Sequence, residues 1–448
     1  MKHILFTFII LIFTSHLAQA QNEIKARLEY EDSEVAFQNK DYQKAILHLD
    51  NAEKLLGTWT AKTGYLKIIA LDHIIDYAIE WGDNLTDLSR NVEQYMKYVN
   101  QSSDKVDLDK VREIYAIEKR VDFAKKKKEF ELDADYKAGK DAYENKDYNL
   151  AMTHYLNAAK KNNTRAMDQI SDMYRDGVGF EVDYQKSLEW DTKGSELGDP
   201  ICTSDIGNMY LAANGVAQDY KKALEHLSMG ADYGIGYAIS RIGYMHSWGY
   251  GITRNFQEAF NWFSKAVIKG DPQGMLYMGH FYYTGTGVEQ NYSEAINWFK
   301  KSGNPFGFFK IGEAYLNGYG VEKNDAEALK WYKRAADSGD PYYTIVVGNM
   351  YFEGKGTTQN YQTALDWYNK AFENKLENGE VKNSSLYLTM GTCHFELKNY
   401  SQSMEWYTKA YETGESEAGT AKEMIAKMYE EGLGVEKDKR KAREWRNK

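Results

Sequence analysis

Ile206-Gly207-Asn208-Met209-Tyr210, then a glycine-containing loop, then Asp219-Tyr220-Lys221-Lys222-Ala223-Leu224, is one copy of a phrase that returns along the chain. Its aromatic position runs Tyr174, Tyr210, His246, Tyr282, Tyr315, Tyr351, His394 and Tyr429, in steps of 36, 36, 36, 33, 36, 43 and 35 residues. A second line runs Trp190, His226, Trp262, Trp298, Trp331, Trp367, Trp406 and Trp445, and holds seven of the ten tryptophans. Self-similarity at this period predicts stacked helix-turn-helix units, each burying its apolar face only against its neighbours.

The other recurring positions fit that reading. Three residues before the aromatic stand Ser171, Gly207, Gly243, Gly279, Gly312, Gly348, Gly391 and Ala426. Small residues there let two antiparallel helices approach, at a helix-propensity cost of about 1 kcal/mol per glycine. Loop glycines such as Gly318 and Gly320 supply a left-handed turn after the first helix. Asp219, Asn255, Asn291, Asn324 and Asp438 open the second helices as N-caps. All four prolines (Pro200, Pro272, Pro305, Pro341) follow Asp or Asn, which is N-cap then Pro at the first helical position.

Taken together, small-x-x-Tyr, Gly-x-Gly-Val, Asp/Asn-x-x-x-Ala and Trp-Tyr/Phe-x-x-Ala resemble the Sel-1-like repeat family, a glycine-loop relative of the tetratricopeptide repeat. Residues 271–375 match that pattern best; Ala213 replaces one loop glycine and Thr357 one valine. The resemblance implies an all-α fold, a right-handed α/α superhelical solenoid, and adaptor or scaffold roles. Some exported relatives carry one disulfide per repeat, whereas Cys202 and Cys393 are the two cysteines here, five units apart. Two buried free thiols are the simpler expectation.

Outside the repeats, Met-Lys-His, an apolar run from Ile4 to Phe13 and Ala18-Gln19-Ala20 read as a secretory signal peptide. The expectation is export with cleavage near Ala20, to the periplasm or the extracellular space. Gln21, not Cys, follows the cleavage motif, which argues against a lipoprotein anchor. No later stretch suits a membrane span. Residues 21–164 read as an N-terminal helical domain with two tetratricopeptide-like units, and 165–448 as about eight repeats ending in a basic capping helix.

Chemistry is sparse by comparison. The net charge of −10 disfavours nucleic acid. There is no Cys-x-x-Cys, His-Glu-x-x-His, Gly-x-Ser-x-Gly or phosphate-binding Gly-Lys-Ser/Thr pattern, so no catalytic residue, cofactor or metal is expected. The tryptophan line is expected to pack in the core, as are His226, His246 and His394. Binding residues are better sought where the repeat fails to repeat, on the first helices: Asn208, Tyr237, Tyr244, His280, Tyr283, Phe306, Glu313, Tyr342, Asn349 and Phe352. Aromatics mixed with polar groups suit a protein or peptide partner. A non-catalytic scaffold leads; a hydrolase-like enzyme acting on cell-wall-derived or related small molecules, and an architectural spacer of an envelope complex, are the alternatives.

Overall fold

A computed structural model describes residues 2–75, 82–102, 107–373, 384–414 and 417–448, with side chains from Gln19 onward. The described residues form helices and no strands. They divide into a unit at Met1–Gly274 and a unit at Met275–Lys448. The first unit contains α1 (Lys2–Gln38), α2 (Tyr42–Leu56), α3 (Ala61–Ile74), α4 (Asp83–Gln101), α5 (Leu108–Leu132), α6 (Ala134–Glu144), α7 (Tyr148–Ala159), α8 (Thr164–Asp176), α9 (Tyr184–Glu196), α10 (Pro200–Ala212), α11 (Tyr220–Asp232), α12 (Gly236–Trp248) and α13 (Phe256–Ile268). The division falls in the first turn of α14 (Pro272–Thr284). The second unit continues through α15 (Tyr292–Ser302), α16 (Pro305–Asn317), α17 (Asp325–Ala336), α18 (Pro341–Glu353), α19 (Tyr361–Glu373), α20 (Ser384–Glu396), α21 (Tyr400–Glu412), α22 (Ala418–Glu431) and α23 (Lys439–Asn447). No helix of the described residues is long and apolar enough to cross a membrane.

Consecutive helices pair as hairpins, α8 with α9, α10 with α11, α16 with α17, and each hairpin packs on the next in its unit. The caps act as their residue types predict. Asn324 Oδ1 accepts from the Glu327 amide at 3.0 Å, and Asn255 Oδ1 from the Glu258 amide at 3.1 Å. Pro200, Pro305 and Pro341 stand at the first helical position behind Asp199, Asn304 and Asp340. Gly318 closes α16 with φ 77°. Ala213 does the same for α10 at φ 61°, a conformation that costs a residue with a Cβ about 1 kcal/mol.

The helical glycines sit under rings. A Cβ on Gly243 would lie 2.8 Å from the Phe263 ring, one on Gly279 2.5 Å from Phe299, and one on Gly391 2.6 Å from Tyr407. Those rings immediately follow the tryptophan line and are fully buried. The expected core role of the tryptophans is therefore corrected. Trp190, Trp262, Trp298, Trp331, Trp367, Trp406 and Trp445 are only half-buried. One residue is 100° of helix rotation, so the next position points inward and the indole lies along the edge. His226, His246 and His394 are likewise half-buried rather than core.

The N-terminal helices have their own core of Ile68, Leu71, Leu88, Ile114 and Ile117, drawn from α3, α4 and α5. Lys67 of α3 is buried as well, and its ammonium is bonded to Asp50 at 2.6 Å and Asp87 at 2.9 Å, as a buried ammonium must be. Within the same unit this region reaches the repeats. Arg120 pairs with Asp72 at 2.8 Å and donates to the Asp232 carbonyl at 3.0 Å, and Lys269 Nζ donates to the Asp72 and Ile75 carbonyls.

Candidate functional site

The non-repeating positions fall into two places. In the second unit, α16 brings Lys310 and Glu313 into contact at 2.7 Å, one turn apart. The Lys310 ammonium stands 5.5 Å from the Tyr283 ring centre, 5.4 Å from Phe306 and 5.8 Å from Phe309. Tyr342 of α18 leans on Phe309 with ring centres 5.4 Å apart. Tyr283, Phe306, Glu313 and Tyr342 thus share one patch of the first helices, centred on Lys310. Phe306 is 38% exposed and Tyr342 60% exposed, so two large rings of the patch present surface to solvent. Burial first, then the Lys310 charge, holds the His280 pKa below its usual value, so that ring stays neutral at the patch. The Tyr283 hydroxyl is pushed up to about 12, chiefly by burial.

The remaining expected residues have other duties. Asn349 is exposed, and its Oδ1 accepts from the buried Tyr368 hydroxyl at 2.8 Å. Phe352 meets Tyr361 edge-on at 5.7 Å. In the first unit, Asn208 is half-buried on α10. Tyr244 packs beside Tyr250 and Trp248 at 5.7 and 6.1 Å. Tyr237 turns inward instead. Its hydroxyl donates to Asp205 Oδ1 at 2.7 Å and lies 3.0 Å from the Ile201 carbonyl.

Three features escaped the sequence reading. Lys310 was readable as Lys-x-x-Glu on one helix face. The second is a basic residue three positions after each tryptophan. Lys193, Lys265, Lys301, Lys370, Lys409 and Lys448 sit 3.9, 4.3, 4.3, 4.9, 4.2 and 3.4 Å above their indoles, and Arg334 lies 4.6 Å from Trp331. Such cation–π pairs contribute about 0.5–1 kcal/mol each at exposed sites. Trp-x-x-Lys/Arg was visible in every unit but the one with His226, where Met229 takes the basic place. The third is an acidic cluster on α8, α9 and α10. Asp168, Asp191 and Cys202 are all buried with their ligand atoms within 4.8 Å of one another, and Asp168, Asp172 and Asp205 form a second such trio.

The Sel1 repeat model matches nine segments: 136–163, 164–199, 202–234, 236–271, 272–304, 309–340, 345–376, 387–414 and 420–445. The first match begins one hairpin before the expected boundary at 165. No curated protein sequence matches the chain. Among solved structures, the chain is similar to a protective antigen of uropathogenic Escherichia coli strains displaying an SLR fold. That match has 25% identity, covers 89% of this chain and 78% of that one, and has a TM-score of 0.44. A Sel1 repeat protein from Oxalobacter formigenes matches at 26% identity over 53% of this chain and 99% of that one, with a TM-score of 0.46. Repeat spacing, glycine-under-ring packing and family matches over more than half its length agree that this all-α solenoid chain belongs to the Sel1 repeat family.

Proposed function

We propose that the protein is a non-catalytic scaffold of the bacterial cell envelope that binds a protein or peptide on the first helices of its repeats. The Sel1-repeat fold is a protein–protein interaction scaffold type, which supports the general class. The observation that carries the finer reading is the patch around Lys310, where Phe306 and Tyr342 are exposed beside a lysine–glutamate pair. Exposed rings rimmed by paired charges resemble the anchor-and-rim pattern of a protein interface. Export with cleavage near Ala20 is part of the proposal and rests on the basic, apolar and Ala-x-Ala segments of the N-terminus.

The test is affinity capture from the native organism with the wild-type chain and a Phe306→Ser/Tyr342→Ser variant. Both side chains are partly exposed, so the variant should fold with unchanged helix content, and its melting temperature is measured beside the capture. A partner held by the wild type and lost from the variant is the expected result. Equal capture by both, with the fold intact, would sink this patch as the binding surface.

A further inference from the structure

The hairpin of the second matched repeat, α8 and α9, breaks the packing rule of its neighbours. At the position after the tryptophan, where other second helices place Leu227, Phe263, Phe299, Tyr332 or Tyr368, α9 places Asp191. Its side chain is fully buried, and the hydrogen-bonding group beside it, the Ser171 hydroxyl, is engaged with Ser187, so neither carboxylate oxygen holds a well-formed hydrogen bond. The glycine that would lie beneath a ring is Ser171, whose hydroxyl is 2.8 Å from the Ser187 hydroxyl. A buried carboxylate without a well-formed hydrogen bond is too costly to be a neutral feature of a helical core.

What surrounds Asp191 is a set of donors. Cys202 of α10 is fully buried and Asp168 of α8 is 4% exposed, and the ligand atoms of the three lie within 4.8 Å of one another. Gly194, one turn beyond Asp191, makes room for the thiol, since a Cβ there would run into the Cys202 sulfur. Arg165 fixes Asp168 with a 2.8 Å bond. The second trio shares Asp168 and adds Asp172 and Asp205, which are half-buried and already engaged. Asp172 pairs with Arg175 at 2.7 Å, and Asp205 accepts from Tyr237. Thr164 donates to Asp199 at 2.5 Å, so that carboxylate is occupied as well. Asp172 and Asp205 therefore form an acidic approach from the more exposed side, and Asp191 is the group left without an ion pair or a well-formed hydrogen bond.

The geometry points to a site for a zinc-class divalent cation, held by the carboxylates of Asp168 and Asp191 and the thiolate of Cys202. The three ligand charges are matched by a divalent ion and the Arg165 guanidinium, and Asp172 is matched by Arg175, which leaves Asp199 and Asp205 as hydrogen-bonded acids at the margin. The donor atoms are close enough for small side-chain adjustments to bring them onto bonds of about 2.0–2.3 Å. The thiolate selects a borderline ion such as Zn²⁺ or Co²⁺ over Ca²⁺ or Mg²⁺. Binding displaces the Cys202 and Asp191 protons to solvent, since a thiol on zinc is deprotonated and the carboxyl must ionise to become a ligand. Without the ion, burial above all, then neighbouring carboxylates, pushes the Asp191 carboxyl far above its usual range, and burial does the same to the Cys202 thiol. Cys393, the other buried thiol, belongs to neither trio.

The experiment titrates the chelator-treated full chain with Co²⁺, then Zn²⁺, following absorbance, heat and melting temperature. One Co²⁺ per chain, a thiolate-to-cobalt charge-transfer band, displacement by Zn²⁺ and a rise in melting temperature are expected. Cys202→Ser should abolish the band while Cys393→Ser keeps it. Asp191→Leu, which installs the residue found at 227, should keep its helix content, melt higher than the wild type without metal, and lose the Zn²⁺-induced rise. No stoichiometric binding by the wild type would show that the cavity holds ordered water only and would overturn the site. So would a band that survives Cys202→Ser, a Zn²⁺-induced rise that survives Asp191→Leu, or tight binding of Ca²⁺ or Mn²⁺ in place of Zn²⁺.

Discussion

Gly312 lies directly under the ring of Tyr332: a Cβ added to the glycine would stand 2.5 Å from the nearest ring carbon. The two residues belong to the two helices of one hairpin, and Tyr332 is 3% exposed. The glycine is conformationally ordinary here, so space alone holds it in place.

Gly312→Ala should destabilise the protein, because overpacking costs about 1–3 kcal/mol and outweighs the roughly 1 kcal/mol gained in helix propensity. Gly419 makes the opposite control. It lies in α22, and a Cβ there would meet nothing within 4 Å. Gly419→Ala should stabilise by about 0.4–1 kcal/mol. Denaturant titration of both variants checks the pair; two changes of the same sign would refute the packing account.

Tyr332→Ala should cost more than Trp331→Ala, although tryptophan is the larger residue. Tyr332 is buried and its loss opens a cavity, for about 3–5 kcal/mol. Trp331 is half-buried against Phe308 and Arg334, at 5.6 and 4.6 Å. Equal losses in melting temperature would restore the tryptophan line to the core.

Register explains why the sequence reading chose the wrong neighbour. Periodicity finds the line of large residues but does not say which of two adjacent positions faces inward. Caps, prolines and loop glycines were legible because each acts locally: Asn324 needs only the Glu327 amide, and Gly318 only its own φ. The Lys310 patch was half legible, since Phe306 and Tyr342 fail to repeat, yet their joining through Lys310 depends on stacking distances that no pattern contains. Asp191 was hidden for the opposite reason. Aligning repeats draws attention to what they share, and its significance lies in what that unit has lost.

Asn324→Ala should cost about 1 kcal/mol, the usual value of a helix N-cap, because the Glu327 amide loses its acceptor. Asn324→Asp should retain most of the stability. A silent alanine variant in thermal unfolding would show that water replaces the cap.

Acid should weaken the fold through His226, His246 and His394. Burial holds all three below the usual histidine value of 6.5, and their Nδ1 atoms are buried without a partner. A depressed folded-state pKa means that the unfolded chain takes up the proton first. The stability is therefore fully present above pH 6.5 and is lost as pH falls below it. Replacing the three with the residues common at their positions (His226→Trp, His246→Tyr, His394→Tyr) should flatten the melting temperature between about pH 7.5 and 5.5 relative to wild type. A parallel decline in both proteins would clear the histidines of that role.

Several glycine loops also touch the hairpin before them. The second loop glycine lies against the opening residue of the preceding second helix: Gly215 on Tyr184, Gly251 on Tyr220, Gly320 on Tyr292, Gly434 on Tyr400. Under tension from the chain ends, such a stack gives way like a row of clasps. The end hairpin loses its only neighbour contact and leaves the rest intact. A 36-residue repeat stretched to about 3.5 Å per residue adds roughly 125 Å of chain. For the repeats of the second unit, which lack the ties that the N-terminal helices make in the first, a pulling trace should be a ladder of nearly equal rungs, one repeat each, and excising one whole repeat should remove one rung.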